Sequence, residues 1–231
     1  MGECLIFSRG GAISLYDPTF ANNDWSKIIQ ACQRNAVPDT WAVGNQKPMT
    51  INGTEYNIDI IGKNHDTYSD GSGTAPLTFQ LHECYATTYA MNSSNTNVGG
   101  WTSCAMRTTH LPAILALMPS EVQASIKEVN KLTSAGSQSS TINTTADKLF
   151  LLSEIEIFGS TSYSKSGEGT QYDYYKAGNS KIKYRSGDAA DWWERSPHGD
   201  TSTYFCYVTS NGNANYYYTN YLYGVAFGFC F

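Results

Sequence analysis

Charge is what this chain has least of. Charged residues make up 15% of its 231 positions, well below the share in an average globular domain. Asn, Ser, Thr, Gly and Tyr take their place, and these favour turns, loops and sheet surfaces over long helices. The net charge is -5 and there is no basic run, so no nucleic-acid partner held through phosphate neutralisation is expected. No stretch approaches the roughly 18 consecutive apolar residues of a spanning helix, and no membrane insertion is expected. The opening MGECLIFSRGGAISLY has no basic n-region, and its apolar run, Cys4 to Phe7, is short for a signal peptide. Export by a signal peptide of its own is therefore not expected. Met1-Gly2 resembles a myristoylation start, but Phe7 stands near where Ser or Thr is wanted.

The marks of catalysis and metal binding are missing as well. The six cysteines, Cys4, Cys32, Cys84, Cys104, Cys206 and Cys230, form no C-x-x-C pair and read as free, buried thiols. HDTY and HECY place His65 and His82 beside carboxylates, but neither gives a His-x-x-x-His pair; His110 and His198 are equally isolated. There is no G-x-S-x-G elbow and no phosphate-binding loop. Asp188, Asp191 and Glu194 lie close in sequence to Arg185 and Arg195 and read as a salt-bridged turn. No enzyme, no metal and no cofactor is expected.

The pattern that is present is that of an α+β chain with short helices and long loops. Trp25, Ile28, Ile29 and Cys32 share one face of a helix over residues 23–35, capped by Asn23 or Asp24 and stopped by Pro38. Asn52-Gly53 predicts a hairpin between Met49–Ile51 and Tyr56–Ile61. LTFQLHECY reads as a strand. TSCAMRTTHLPAILALMP reads as a helix broken by Pro112 and Pro119, and PSEVQASIKEV as a short helix. Residues 133–146 read as a Ser/Thr-rich loop, DKLFLLSEIEIFG as buried strand and turn, and residues 160–180 as a long loop. Asn211-Gly212 predicts a second hairpin, between YFCYV and NYYY.

Seven of the 17 tyrosines fall between Tyr204 and Tyr223. Aromatic strand filling alone does not explain them. Tyr216, Tyr217 and Tyr218 are consecutive and cannot all point to one side of a strand, and the neighbouring Asn and Thr residues resist burial. Tyr gives large contact area with little side-chain entropy to lose, and Asn, Ser and Thr give adaptable hydrogen bonds, as in antibody paratopes. Phe227, Phe229 and Phe231 alternate like one face of a closing strand.

The run ADWWERSPHGDTSTYFCYVTSNGNANYYYTNYLYGVAFGFCF resembles the C-terminal variable region of diversity-generating retroelement proteins. Its frame is Trp192, Trp193, Arg195, Ser196, Pro197, Phe205, Val208, Gly212, Ala214, Gly224, Val225 and Phe227. Upstream, WAVGNQKPMTINGTEYNIDIIGKNHD, GGWTSCAMR and TSAGSQSSTINTTADKLFLLSEIEIFG are similar to a DUF6273-like bacterial and phage domain family of C-type-lectin-like (formylglycine-generating-enzyme-like) fold. The resemblance covers residues 23–231, with residues 1–22 as a lead or attachment segment and a variable region at about 191–231. It implies a template copied with misread adenines, which turns Asn codons into codons for Tyr, Ser, Thr, Asp, His and Gly. The positions matching that menu are His198, Asp200, Thr201, Thr203, Tyr204, Tyr207, Thr209, Asn213, Asn215, Tyr216, Tyr217, Tyr218, Asn220, Tyr221 and Tyr223. Leu222 fits the menu less well and is left out of the set.

What the resemblance implies is a receptor-binding variable protein that displays a Tyr/Asn surface to a protein ligand on a host or cell surface. It would be carried on a phage tail, or lie in the bacterial cytoplasm before assembly, with oligomer formation left open. Calcium-dependent sugar-binding motifs are absent, and Cys206 and Cys230 do not reproduce the spacing of the formylglycine-generating enzyme's copper pair. The alternatives are an oxidase of that kind, or a structural tail component whose tyrosines form an oligomer interface.

Overall fold

The computed structural model describes residues 15–231; Cys4, Gly10-Gly11 and the Met1-Gly2 start lie outside the described residues. In chain order the helices are α1 (Trp25–Gln33), α2 (Gly100–Ser103), α3 (Leu111–Leu115), α4 (Ser120–Ser125), α5 (Glu154–Phe158) and α6 (Asp173–Lys176). The strands are β1 (Gln46–Ile51), β2 (Thr54–Lys63), β3 (Leu77–Leu81), β4 (Val129–Ser134), β5 (Ile142–Asp147), β6 (Lys183–Arg185), β7 (Asp188–Ala190), β8 (Trp192–Pro197), β9 (Tyr204–Val208), β10 (Ala214–Tyr218) and β11 (Gly228–Cys230). The fold is mixed α and β, with small antiparallel sheets and a few short helices. Among the described residues no helix is long and apolar enough to cross a membrane.

Two sheets position everything else. One has the order β1-β2-β3-β11 and the other β10-β9-β8. Asn52 and Gly53 both take positive φ, 49° and 77°, which is the two-residue turn that suits the twist of a tight hairpin; β1 and β2 pair as expected from it. The second hairpin also forms, as a three-residue loop. Thr209 N–H donates to the Asn213 carbonyl at 2.8 Å, and Gly212, at φ 80°, donates to the Thr209 carbonyl at 2.8 Å.

The C-terminal segment crosses from one sheet to the other. The stretch from Gly224 to Phe231 is buried throughout. Phe229 stacks on Phe79 at 5.3 Å, and Phe231 meets Trp25 at 6.1 Å. Gly224 is needed for closeness: a Cβ there would come within 2.6 Å of Cys84 Sγ. Tyr16 and Phe20 also pack into this core, against Trp41 at 5.9 and 5.4 Å, so the stretch read as a lead segment contributes core side chains from residue 16 onward.

Several local expectations are corrected. Helix α1 ends at Gln33, before Pro38 is reached. Asn35 turns to φ 49°, and the N–H groups of Asn35 and Ala36 donate to the carbonyls of Cys32 and Ala31, a left-handed cap that satisfies the last carbonyls. Asp24 occupies the N-cap position without a side-chain bond. Pro112 lies in the first turn of α3 and does not break it. The wide turn over Met106–His110 precedes it, with Leu111 N–H reaching the Met106 carbonyl, because Pro112 has no N–H to give Thr108. Residues 142–147 are strand β5, a polar ribbon paired with β4, where a loop was expected. Residues 154–158 are helix α5, where strand was expected; Ser153 and Glu156 form a reciprocal capping box. A short helix, α6, interrupts the 160–180 loop.

Candidate functional site

The site is built from β8 outward. Trp193 pairs with Tyr207 and Pro197 with Phe205, so Glu194, Arg195 and Ser196 all lie opposite the single residue Cys206. This bulge carries a fully buried ionic frame. The Arg195 guanidinium grips Glu156 through Nη1 and through Nη2 at 2.8 Å, and it also donates to the carbonyls of Leu132, Leu151 and Glu168 at 3.1, 2.9 and 2.8 Å. Glu156 is shared with Lys131 at 2.8 Å, and Lys131 continues to Asp66 at 2.8 Å. Cations and anions alternate along the row, so the buried charges cancel. Burial works to raise the Glu156 and Asp66 carboxyls, but the neighbouring Arg195 and Lys131 override it and hold both below the usual carboxylate range. The expected salt-bridged turn among Asp188, Asp191, Glu194, Arg185 and Arg195 is not what forms: Arg195 turns inward to Glu156, and Asp191 accepts from Ser210 N–H at 2.6 Å.

Around this frame sit two carboxyls that burial pushes above the usual carboxylate range. Glu168 accepts from Ser134 N–H at 2.7 Å and shares a short bond with Ser196; burial pushes it up to about 7. Both Glu194 oxygens are buried without a hydrogen-bond partner among the described residues, and burial, with Glu154 and Glu168 nearby, pushes it well above the usual range. Glu154 accepts the N–H groups of Ser162, Tyr163 and Ser164 at 2.8 to 3.1 Å, which fixes the 160s loop.

The frame supports a belt of aromatic rings. The bonds Thr209 N–H to Asn213 and Thr219 N–H to Thr203 bracket β10, so ladder bonds alternate along it. Tyr216 and Tyr218 share one face with Tyr204, and Tyr217 shares the other with Tyr207 and Trp193. On the first face Tyr216 contacts His198 at 4.3 Å, Tyr163 at 4.9 Å and Tyr204 at 5.2 Å. On the second, Tyr223 contacts Trp193 at 4.8 Å and Tyr207 at 4.6 Å, and Tyr217 meets Tyr221 at 4.7 Å. Tyr217 and Tyr218 meet at 5.5 Å across the strand, so the rings run continuously from one face round to the other.

The fifteen positions singled out from sequence are brought together unevenly. Tyr217, Tyr218, Asn213, Asn220 and Tyr221 are exposed, as is Asp200, which meets Lys165 at 3.3 Å. Tyr204, Asn215, Tyr216, Tyr223, Thr201, Thr203 and Thr209 are half-buried. Tyr207 and His198 are buried; desolvation lowers the His198 imidazole below its ordinary value, and its Nδ1 accepts Asp200 N–H at 3.0 Å. Thr209 caps its own loop through Oγ1, 3.0 Å from Asn213 N–H.

Sequence reading missed Tyr163, Leu222 and Asn97. Leu222 is 60% exposed beside Tyr221. Asn97 is fully buried, and its amide donates to the Thr201 and Tyr204 carbonyls at 2.9 and 2.7 Å while its Oδ1 accepts from Ser137. Nothing local marks it, because all its side-chain partners are distant in sequence.

Among the described residues the cysteines are free and buried, and no group of His, Cys, Asp and Glu is arranged to hold a metal ion. Fold and site together define a small mixed α/β domain with an aromatic surface on an ionic frame. The chain belongs to the DUF6273 family, a domain of unknown function, which matches residues 77–230, from β3 through β11. No curated protein and no solved structure matches it.

Proposed function

We propose that this is a ligand-binding protein of the retroelement-diversified kind, on a C-type-lectin-like fold, and that its tyrosine belt recognises a protein on a host or cell surface. One observation carries the reading. Of the nine exposed large hydrophobic side chains among the described residues, Tyr217, Tyr218, Tyr221 and Leu222 fall within six positions. Such clustering is characteristic of an interaction surface, whereas single exposed apolar residues are ordinary, and exposed tyrosines are the usual energetic anchors. A frame of committed buried bonds beneath positions that contact mainly one another is what a diversified surface requires. The phage-tail setting follows from the resemblance of the 191–231 run, and multivalent display there would strengthen modest individual binding.

Two measurements test this. Changing Tyr216, Tyr217 and Tyr218 together to Ala should abolish binding to intact bacterial cells that the parent protein labels, with little change in Tm. Loss of the fold instead would make the belt part of the core. In the genome, a near-copy of the coding region for residues 191–231, differing only at adenines and beside a reverse transcriptase gene, should be present. The oxidase alternative has no support of its own, since burial pushes the Cys206 and Cys230 thiols well up, away from thiolate.

A further inference from the structure

The outer edge of β10 carries several backbone groups with no partner among the described residues. Antiparallel ladders alternate. Since Asn213 and Thr219 bond across to β9, Asn215 and Tyr217 do so too, and Ala214, Tyr216 and Tyr218 turn their N–H and C=O groups away from the sheet. β10 is the end strand of its sheet and pairs with β9 alone. Two outward groups are occupied locally: Tyr216 N–H donates to Asn215 Oδ1 at 2.8 Å, and the Tyr218 carbonyl accepts from Tyr221 at 3.0 Å. The Ala214 N–H and C=O, the Tyr216 C=O and the Tyr218 N–H have no partner among the described residues.

The end strands of the four-stranded sheet are blunted or covered. β1 carries Lys47 and Pro48, residues that discourage strand addition. β11 is covered by bridges from Lys127 to Cys230 and from Phe150 to Gly228. β10, with the sequence ANYYY, has neither charge nor proline. Tyr216 and Tyr218 on one side and Tyr217 on the other stand along its open edge like two rails.

We propose that β10 is an acceptor strand: the partner contributes an extended, uncharged segment of polypeptide that adds to this edge, with side chains lying alternately against the two tyrosine rows. This rests on the binding function above and deepens it. Backbone pairing supplies a share of the contact that does not depend on the identity of the side chains at 215–218, so the mode of docking is kept while those residues decide which partner is held. The Asn215 amide acts as a movable guard that gives up Tyr216 N–H when the partner strand arrives.

The test uses the full chain and random linear peptides, displayed and selected for binding to it. Amide hydrogen exchange on the unaltered protein should show Ala214 and Tyr218 exchanging fast alone and protected when a selected peptide is bound. Ala214→Pro removes one outward N–H and leaves the β9 ladder and every tyrosine in place; it should weaken the peptide by about tenfold or more. If the tyrosine-to-alanine triple loses the peptide while Ala214→Pro and the exchange pattern do not respond, recognition is by side chains alone; strand addition fails and the binding function stands. If neither variant matters, both fail. If no peptide is selected, or if sedimentation shows the chain pairing with a second copy until Ala214→Pro separates them, the partner-strand proposal is overturned.

Discussion

Arg195 and Tyr216 stand on opposite sides of one strand, across Cys206, and they obey different rules. Arg195 is wholly buried, and its donors are committed to two carboxylate oxygens and three carbonyls. Tyr216 is half-buried, touches other aromatic rings, and its hydroxyl has no bond holding it in place among the described residues. The first arrangement loses a great deal when one atom changes, because a buried charge is left behind. The second loses contact area and little else. A fold that keeps these two arrangements one strand apart can vary its surface and leave its frame alone.

The largest effect should come from the frame. Arg195→Met fits the volume but takes away one of the two cations on Glu156 and a donor from each of three carbonyls. It should cost about 3–5 kcal/mol in urea unfolding, a large share of the stability of an ordinary domain. A cost below about 1 kcal/mol would mean that the frame is no more committed than the belt.

The next effect is in pH. Glu168 titrates near 7 in the folded protein, above its ordinary value of 4.5. Between about 4.5 and 7 the folded state therefore holds a proton that the unfolded state has released, and stability falls as pH rises through that window, by about 3 kcal/mol at most. The groups facing it are Ser134 and Thr133 from β4, and Ser196, Arg195 and Glu194 from the β8 bulge. Glu194, which burial also pushes up, acts in the same direction. Asp66 and Glu156, held low, act the other way: their stabilisation is present above the ordinary carboxylate range and is lost as pH falls below it. Glu168→Gln removes the titrating carboxyl and keeps an acceptor for Ser134 N–H, so it should flatten the slope between about pH 4.5 and 7. An unchanged slope would place the titration elsewhere.

The same contrast separates what was legible in the sequence from what was not. Hairpin turns and apolar faces are local, so Asn52-Gly53, Asn211-Gly212 and the α1 face were readable. The tyrosine cluster was readable because composition alone makes it odd. The frame was not. Arg195 reaches Glu156, Lys131 reaches Asp66, and Asn97 reaches Thr201 and Tyr204 across gaps that no spacing rule spans. Residues 142–147 looked like loop because polar Thr-rich strands on a two-stranded ribbon lack alternation. Residues 154–158 looked like strand because apolar runs are ambiguous, although the Ser153–Glu156 capping box was there to be used. Tyr163 belongs to the belt only because Glu154 gathers the loop around it.

The smallest effect is also the one that separates the two regions most sharply. Tyr221 and Leu222 are 51% and 60% exposed, at the tip that follows β10, and what they lose on truncation is chiefly the ring contacts of Tyr221 to Tyr217 and Tyr223. Changing both to Ser removes apolar surface that is already wet, so unfolding free energy should move by less than about 1 kcal/mol, while binding of any ligand that covers the Tyr217–Leu222 patch should weaken. Phe229→Ser, a similar loss of apolar volume eight residues from Tyr221 in the buried closing segment, should cost several times more. Equal costs at the two sites would mean that the tip is packed as firmly as the segment anchoring it, and a surface so packed could not exchange its residues freely. A large difference would locate the boundary between replaceable and fixed chemistry at Tyr223/Gly224, where the chain leaves the belt and enters the core.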